Sequence, residues 1–119
     1  MAHFDLSIKL DFLLNSKLQQ IVLQAYQLTF EFDNDIRIVV EYEWELLIKD
    51  LLIGRGNPQR QSGPITELQK LIGAEIIDVV PQQDGVLTVT FSNKCTLVLR
   101  PCNEYEAYNI SGKGIYIVV

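Results

Sequence analysis

Few residues of this chain have types and spacing suited to chemistry, and most of those are acids. There is one histidine, His3, and there are two cysteines, Cys95 and Cys102. A general base must be held in register with the group it deprotonates. His3 stands in "MAHFDL" with no nucleophile or carboxylate set against it, and reads as a solvated terminal side chain. A nucleophilic thiolate needs a base or cation to lower its pKa. Cys95 falls on the apolar phase of an alternating segment and reads as a buried, inert thiol. Cys102 follows Pro101 in a turn with no clear activating partner. Asp33-Asn34-Asp35 opens like a calcium loop, but the later glycine and the ligating glutamate at the loop's twelfth position are missing. Gly54-Arg55-Gly56 lacks the third glycine and the Lys-Ser/Thr pair of a phosphate cradle. The sequence therefore predicts no catalytic residue, no metal ligands and no cofactor, and it does not read as an enzyme.

The chemistry that remains is attraction of positive charge. "EYEWE", residues 41–45, alternates carboxylates with large aromatics, and "EYEAY", residues 104–108, does something similar. The chain carries a net charge of −5, from 15 acids and 10 bases. Residues 1–52 hold nine acids and four bases, whereas residues 53–119 hold six of each. The excess thus sits in the first half. An acidic chain is a poor partner for nucleic acid, which binds through Lys and Arg that displace counterions from phosphate.

The elements that position these acids follow from period. Leu28, Phe30 and Phe32 alternate with polar residues, Asp33-Asn34-Asp35 supplies a turn, and Ile36, Ile38, Val40, Tyr42, Trp44 and Leu46 resume the apolar phase. Every apolar anchor is even-numbered, and all six acids from 31 to 45 are odd-numbered. Successive strand side chains point to opposite faces. The pattern predicts a β-hairpin with an aromatic core face and an acidic outer face. Glu31 and Arg37 are expected opposite each other, whereas Glu41, Glu43 and Glu45 have no base nearby in sequence. Glu31, Glu41, Glu43 and Glu45 are the candidate partner-binding residues. A solvated outer face that keeps the sheet soluble is the plainer reading of the same acids.

The same pattern returns 59 positions later. Leu28, Phe30 and Phe32 match Leu87, Val89 and Phe91; Asn34 matches Asn93; Ile36, Ile38 and Val40 match Cys95, Leu97 and Leu99. This predicts an internal duplication, with halves at about 1–52 and 65–119 and a Gly/Pro-rich loop over 53–64. Alternation over residues 4–12 predicts a first strand, and 18–24 a second. "ITELQKLIG", after Pro64, predicts a short α-helix near 65–72, capped by Gly73. "EYEAYNI" and "IYIVV" complete seven or eight strands. The expected fold is mostly β, two pseudo-repeated hairpin units forming a small sandwich or partly open barrel.

The chain, at 119 residues and 48% hydrophobic, fits one domain with its own core. It has no apolar run long enough to span a membrane and no secretion signal at the N-terminus. The two cysteines form no disulfide framework. A reduced, cytoplasmic protein is expected.

Leu71-Ile72-Gly73, Gly85-Val86-Leu87, Phe91-Ser92-Asn93, Leu97, Pro101 and Tyr105-Glu106-Ala107-Tyr108 resemble the pattern of a family of small bacterial proteins of unknown function. The likeness spans roughly residues 68–110. Lys94 stands where that pattern has glycine after the turn, and Tyr108 where it has tryptophan. The resemblance implies a bacterial origin and no known activity. Some such small proteins look like the immunity partners of secreted toxins. The expectation is a protein-binding module whose acidic face meets a basic protein, such as a toxin. The alternative is a structural or self-associating domain that forms a homodimer through the Ile115–Val119 edge.

Overall fold

The computed structural model describes residues 4–60 and 65–119. Among them are ten strands: β1 (Leu18–Gln24), β2 (Gln27–Phe32), β3 (Arg37–Val40), β4 (Trp44–Ile48), β5 (Leu51–Gly56), β6 (Ile76–Pro81), β7 (Leu87–Phe91), β8 (Cys95–Leu99), β9 (Tyr108–Gly112) and β10 (Ile115–Val118). They form two antiparallel five-stranded sheets, ordered β1-β2-β3-β9-β10 and β5-β4-β8-β7-β6, packed as a sandwich. The fold class expected from the alternation is the one observed.

The two orders are the same order. Advancing each strand by five positions turns β1-β2-β3 into β6-β7-β8 and β4-β5 into β9-β10. Each half thus builds three strands of one sheet and lends a hairpin to the other. The correspondence extends to single hydrogen bonds. Leu18 N donates to Ala74 O at 3.0 Å, and Ile76 N to Ser16 O at 2.9 Å. Asn15 N donates to Ile76 O and Gly73 N to Leu18 O, both at 2.8 Å. Both β1 and β6 carry an irregularity at the same place, between Leu18 and Gln20 and between Ile76 and Asp78. The Lys17–Glu75 bridge, where the halves meet, lies close to the pseudo-twofold axis.

Even-numbered residues of β2 and β3 and odd-numbered residues of β7 and β8 face inward, as their parity requires. Leu28, Phe30, Phe32, Ile38 and Val40 pack with Leu87, Val89, Phe91, Cys95, Leu97 and Leu99 in one core. Trp44 and Tyr108, the first residues of β4 and β9, occupy matching places in it and are fully buried. The Tyr108 hydroxyl donates to Gly85 O at 2.7 Å.

Four expectations are corrected. Residues 4–12 form no strand. Ser7 N and Oγ both donate to Asp5 Oδ1, at 3.0 and 2.7 Å, and Ile8 N donates to Asp5 O. This side-chain-anchored turn breaks the alternation, so Leu6 is exposed while Phe4, Leu10 and Leu13 are buried. The helix near 65–72 is a 3-10 helix, Ile65–Leu71, burying Leu68 and Leu71. The loop expected over 53–64 begins later, because Leu51–Gly56 is an edge strand and Pro58–Arg60 a 3-10 turn. Residues 61–64 of that loop, and His3, lie outside the described residues. Finally, the strand expected to run from 36 to 46 is two strands in different sheets, for reasons that concern the candidate site.

Candidate functional site

β3 ends at Val40 in the first sheet and β4 begins at Trp44 in the second. "EYE", Glu41-Tyr42-Glu43, is therefore a crossover between sheets. The alternation survives the crossing: Val40 and Trp44 both point inward, and Tyr42 between them is half-buried against the core. In the second half the matching crossover runs from Arg100 to Ala107, between β8 and β9. It contains the second acidic-aromatic stretch, Glu104-Tyr105-Glu106.

The two crossovers meet at one end of the sandwich. Glu41 N donates to Ala107 O at 2.8 Å, and Arg100 N to Glu43 O at 3.1 Å, equivalent bonds under the pseudo-symmetry. The rings of Tyr42 and Tyr105 touch edge to face, centroids 5.7 Å apart and planes at 85°, a favoured aromatic geometry. Glu43 and Glu104 are exposed beside them, and half-buried Cys102 lies alongside. The Glu43 carboxylate, as acceptor and as negative charge, holds the Tyr42 hydroxyl above its ordinary pKa. Burial raises that of Tyr105, and Cys102 adds to it. Both hydroxyls stay protonated at neutral pH, that of Tyr42 donating to Glu43 and that of Tyr105 to Cys102.

The four candidate acids do not share one face. Glu31 lies on the outer face of the first sheet, opposite Arg37, whose Nη2 stands 3.3 Å from its Oε2. Gln20 also donates to Glu31. Its charge is compensated where it stands, as the hairpin register implied. Glu41, half-buried, accepts a hydrogen bond from Gln27 Nε2 at 3.0 Å. Glu45 lies on the outer face of the second sheet, where Arg100 Nη2 meets its Oε1 at 2.8 Å. Arg100 is 55 residues away in sequence, so this compensation was not visible there. Glu43, exposed, remains beside Tyr42. What the structure brings to Glu41 and Glu43 are Glu104 and Glu106 of the other crossover. Glu106 accepts from Asn109 Nδ2 at 2.6 Å. The signal for this pairing was the likeness of "EYEWE" to "EYEAY".

Beside the tyrosines a groove of about 350 Å³ is lined by Glu43, Trp44, Glu45, Arg55, Gly56, Asn57 and Arg60. Its floor is braced by buried Asn57, whose Oδ1 accepts from Gln59 N at 3.0 Å. Among the described residues there is no group of three His, Cys, Asp or Glu placed to hold a metal ion. Cys95 is buried on the core face, as its parity required, and burial pushes its thiol up. The crossover end thus sets two exposed carboxylates and two touching tyrosines with protonated hydroxyls beside a polar groove.

The family model described as "Family of unknown function (DUF6188)" matches residues 11–119. The chain belongs to that family. The match takes in both sheets and both crossovers of this DUF6188 protein and leaves out residues 1–10. No curated protein and no solved structure matched the chain. No helix among the described residues of the DUF6188 chain is long and apolar enough to cross a membrane.

Proposed function

We propose that this protein is a small protein-binding module that receives a basic partner at the end of the sandwich where its two crossovers meet. The observation that carries this reading is the Tyr42–Tyr105 contact, which sets two acidic-aromatic stretches side by side from distant parts of the chain. Tyrosines that are partly exposed and already ordered make strong interface anchors, because little side-chain entropy is lost when a partner covers them. Carboxylates around them, Glu41, Glu43, Glu104 and Glu106, steer a positively charged surface and reject an acidic one. Glu45 belongs to the rim, tied to Arg100; Glu31 lies on the first sheet with its own cation and contributes little. A basic toxin is a partner of this chemistry, and the immunity role suggested by the resemblance fits within the same reading.

Affinity capture from the native host, with wild type and with Glu43→Lys/Glu104→Lys, tests it. A basic protein retained by wild type and released by the variant supports the reading. Equal capture by both overturns it.

A further inference from the structure

The two outer faces of the sandwich are built on one scaffold and differ chiefly in one of their two central rows. On the first sheet, one row across the strands reads Gln20, Glu31, Arg37, Ser111 and Tyr116. That row holds its own ion pair; the other, Val22, Thr29, Val39, Asn109 and Val118, carries the same valines and threonine as Val80, Thr88 and Val98 of the second sheet. On the second sheet the rows read Arg55, Glu45, Val98, Thr88, Val80 and Leu52, Leu47, Thr96, Thr90, Asp78. At equivalent places Glu31 is replaced by Thr90, Arg37 by Thr96 and Ser111 by Leu47. In the row of Thr90, Thr96 and Leu47, therefore, the scaffold alone does not demand apolar and hydroxyl-bearing residues, since the matching row carries an ion pair instead. Leu52 and Val80 are each nearly half exposed, at 46% and 47%.

The charges on this face sit at its corners. Arg55 is on edge strand β5 and Asp78 on edge strand β6, in different rows, so they are diagonal to each other. Neither forms an ion pair among the described residues. Glu45, next to Arg55 in register, is taken by Arg100 at 2.8 Å. Four strand spacings separate β5 from β6, roughly 19 Å, too far for the two charges to interact within one chain at ordinary salt.

We propose that the outer face of the second sheet is the contact of a homodimer. Two copies laid face to face about a twofold axis lying between them, running nearly along β8, place Arg55 of each against Asp78 of the other. The same operation lays Val98 near its own copy, close to the axis, and sets Glu45 over the Thr88 and Thr90 hydroxyls. The strand directions then remain nearly aligned, as in packed sheets generally. An isologous contact requires self-complementarity, and a diagonal pair of opposite charges around an apolar, hydroxyl-bearing centre supplies it. Five strands by about five residues make a face of roughly 24 by 17 Å per copy. That is about 400 Å² of face per copy and about 800 Å² in total, below the range of stable specific interfaces, so the dimer is weak and reversible. The Tyr42–Tyr105 pair lies outside this face, whereas Glu45 and Arg55 belong both to it and to the adjoining groove.

Sedimentation velocity from low micromolar to several hundred micromolar protein tests this on four chains. Wild type is expected to pass from monomer to dimer. Arg55→Asp and Asp78→Arg, each of which sets like charges together twice, should each weaken the dimer by about tenfold or more. The swap Arg55→Asp/Asp78→Arg should recover most of the loss. Because the two residues cannot meet within one chain, recovery is a signature of contact between copies, and it does not depend on small losses in folding. Val98→Lys, with folding verified by its melting curve, should abolish the dimer. A wild type that stays monomeric, a dimer indifferent to the reversals, or a swap showing the sum of both losses would each overturn the proposal. Failure here leaves the partner-binding reading standing, since capture at the crossover end is measured separately.

Discussion

Phe32 and Phe91 stack on each other across the middle of the sandwich, ring centroids 6.4 Å apart and planes inclined by only 12°. They are the same residue of the two halves, each closing the second strand of its unit, and each stands opposite the first residue of its neighbouring strand, Leu18 and Ile76. The pseudo-twofold axis thus passes close to this pair as well as to Lys17 and Glu75. Because each half lends a hairpin to the other's sheet, neither half owns a complete sheet.

Phe91→Ala should therefore destabilise the whole molecule, by about 3–5 kcal/mol for a fully buried aromatic. Urea unfolding followed by circular dichroism and by fluorescence of Trp44, the single tryptophan, should give coincident single transitions in wild type and variant. Separate transitions would mean that the halves fold as independent units.

Tyr108 leads to a prediction in pH. Burial raises its phenol well above the ordinary value of 10.0. Below pH 10 the tyrosine is protonated in folded and unfolded chains alike, and its contribution to stability is intact. Above pH 10 the unfolded chain releases the proton while the folded chain keeps it, so stability falls as pH rises, by about 1.4 kcal/mol per unit. Tyr108→Phe should lose about 1–3 kcal/mol at neutral pH, because Gly85 O loses its buried donor, yet decline less steeply above pH 10. Parallel slopes for the two proteins would contradict the assignment.

Glu45 and Arg100 join the crossover of the second half to the strand that follows the crossover of the first. Both side chains are partly exposed, so the pair should be weak. A double-mutant cycle with Glu45→Gln and Arg100→Gln should give a coupling of about 0.2–1 kcal/mol that shrinks as salt is added. A larger coupling, unmoved by salt, would require a buried pair.

What the sequence disclosed and what it hid have physical reasons. Parity is local, so the inward set Leu28 to Leu46 and its counterpart Leu87 to Leu99 were legible, and with them the duplication. The change of sheet at Glu41–Glu43 was not, because a crossover that keeps the alternation leaves no mark in it. β5 was hidden by Gly54 and Gly56, which read as a loop. A β-carbon at Gly54 would meet only ordinary contacts, 3.5 Å from Glu67 Cβ and 3.7 Å from the Trp44 ring, so packing does not demand glycine there. The false strand at 4–12 arose because an Asp-anchored turn can sit inside an alternating pattern. Of the candidate site, Glu41 and Glu43 were legible as acids in phase, but Arg100 against Glu45 and Tyr105 against Tyr42 are contacts over long sequence separations that only the fold creates.

The last prediction concerns the carboxylates that flank the touching tyrosines, Glu43 beside Tyr42 and Glu104 beside Tyr105. Glu43 and Glu104 are both exposed, and neither has a cation within ion-pair distance among the described residues. Reversing both to Lys should move stability by under about 0.5 kcal/mol, the usual range for exposed substitutions. It should slow association with a basic partner, because the carboxylates act at a distance as steering charges. The effect should be largest at low salt and fade as the screening length falls below about 10 Å near 0.1 M. Tyr105→Ala on the same surface should behave differently. It removes an anchor rather than a field, so it should speed dissociation and be nearly indifferent to salt. Rates measured for the three proteins across a salt series separate these contributions. Identical association rates for wild type and the double reversal at every ionic strength would leave Glu43 and Glu104 as ordinary solvated acids on a sheet crossover.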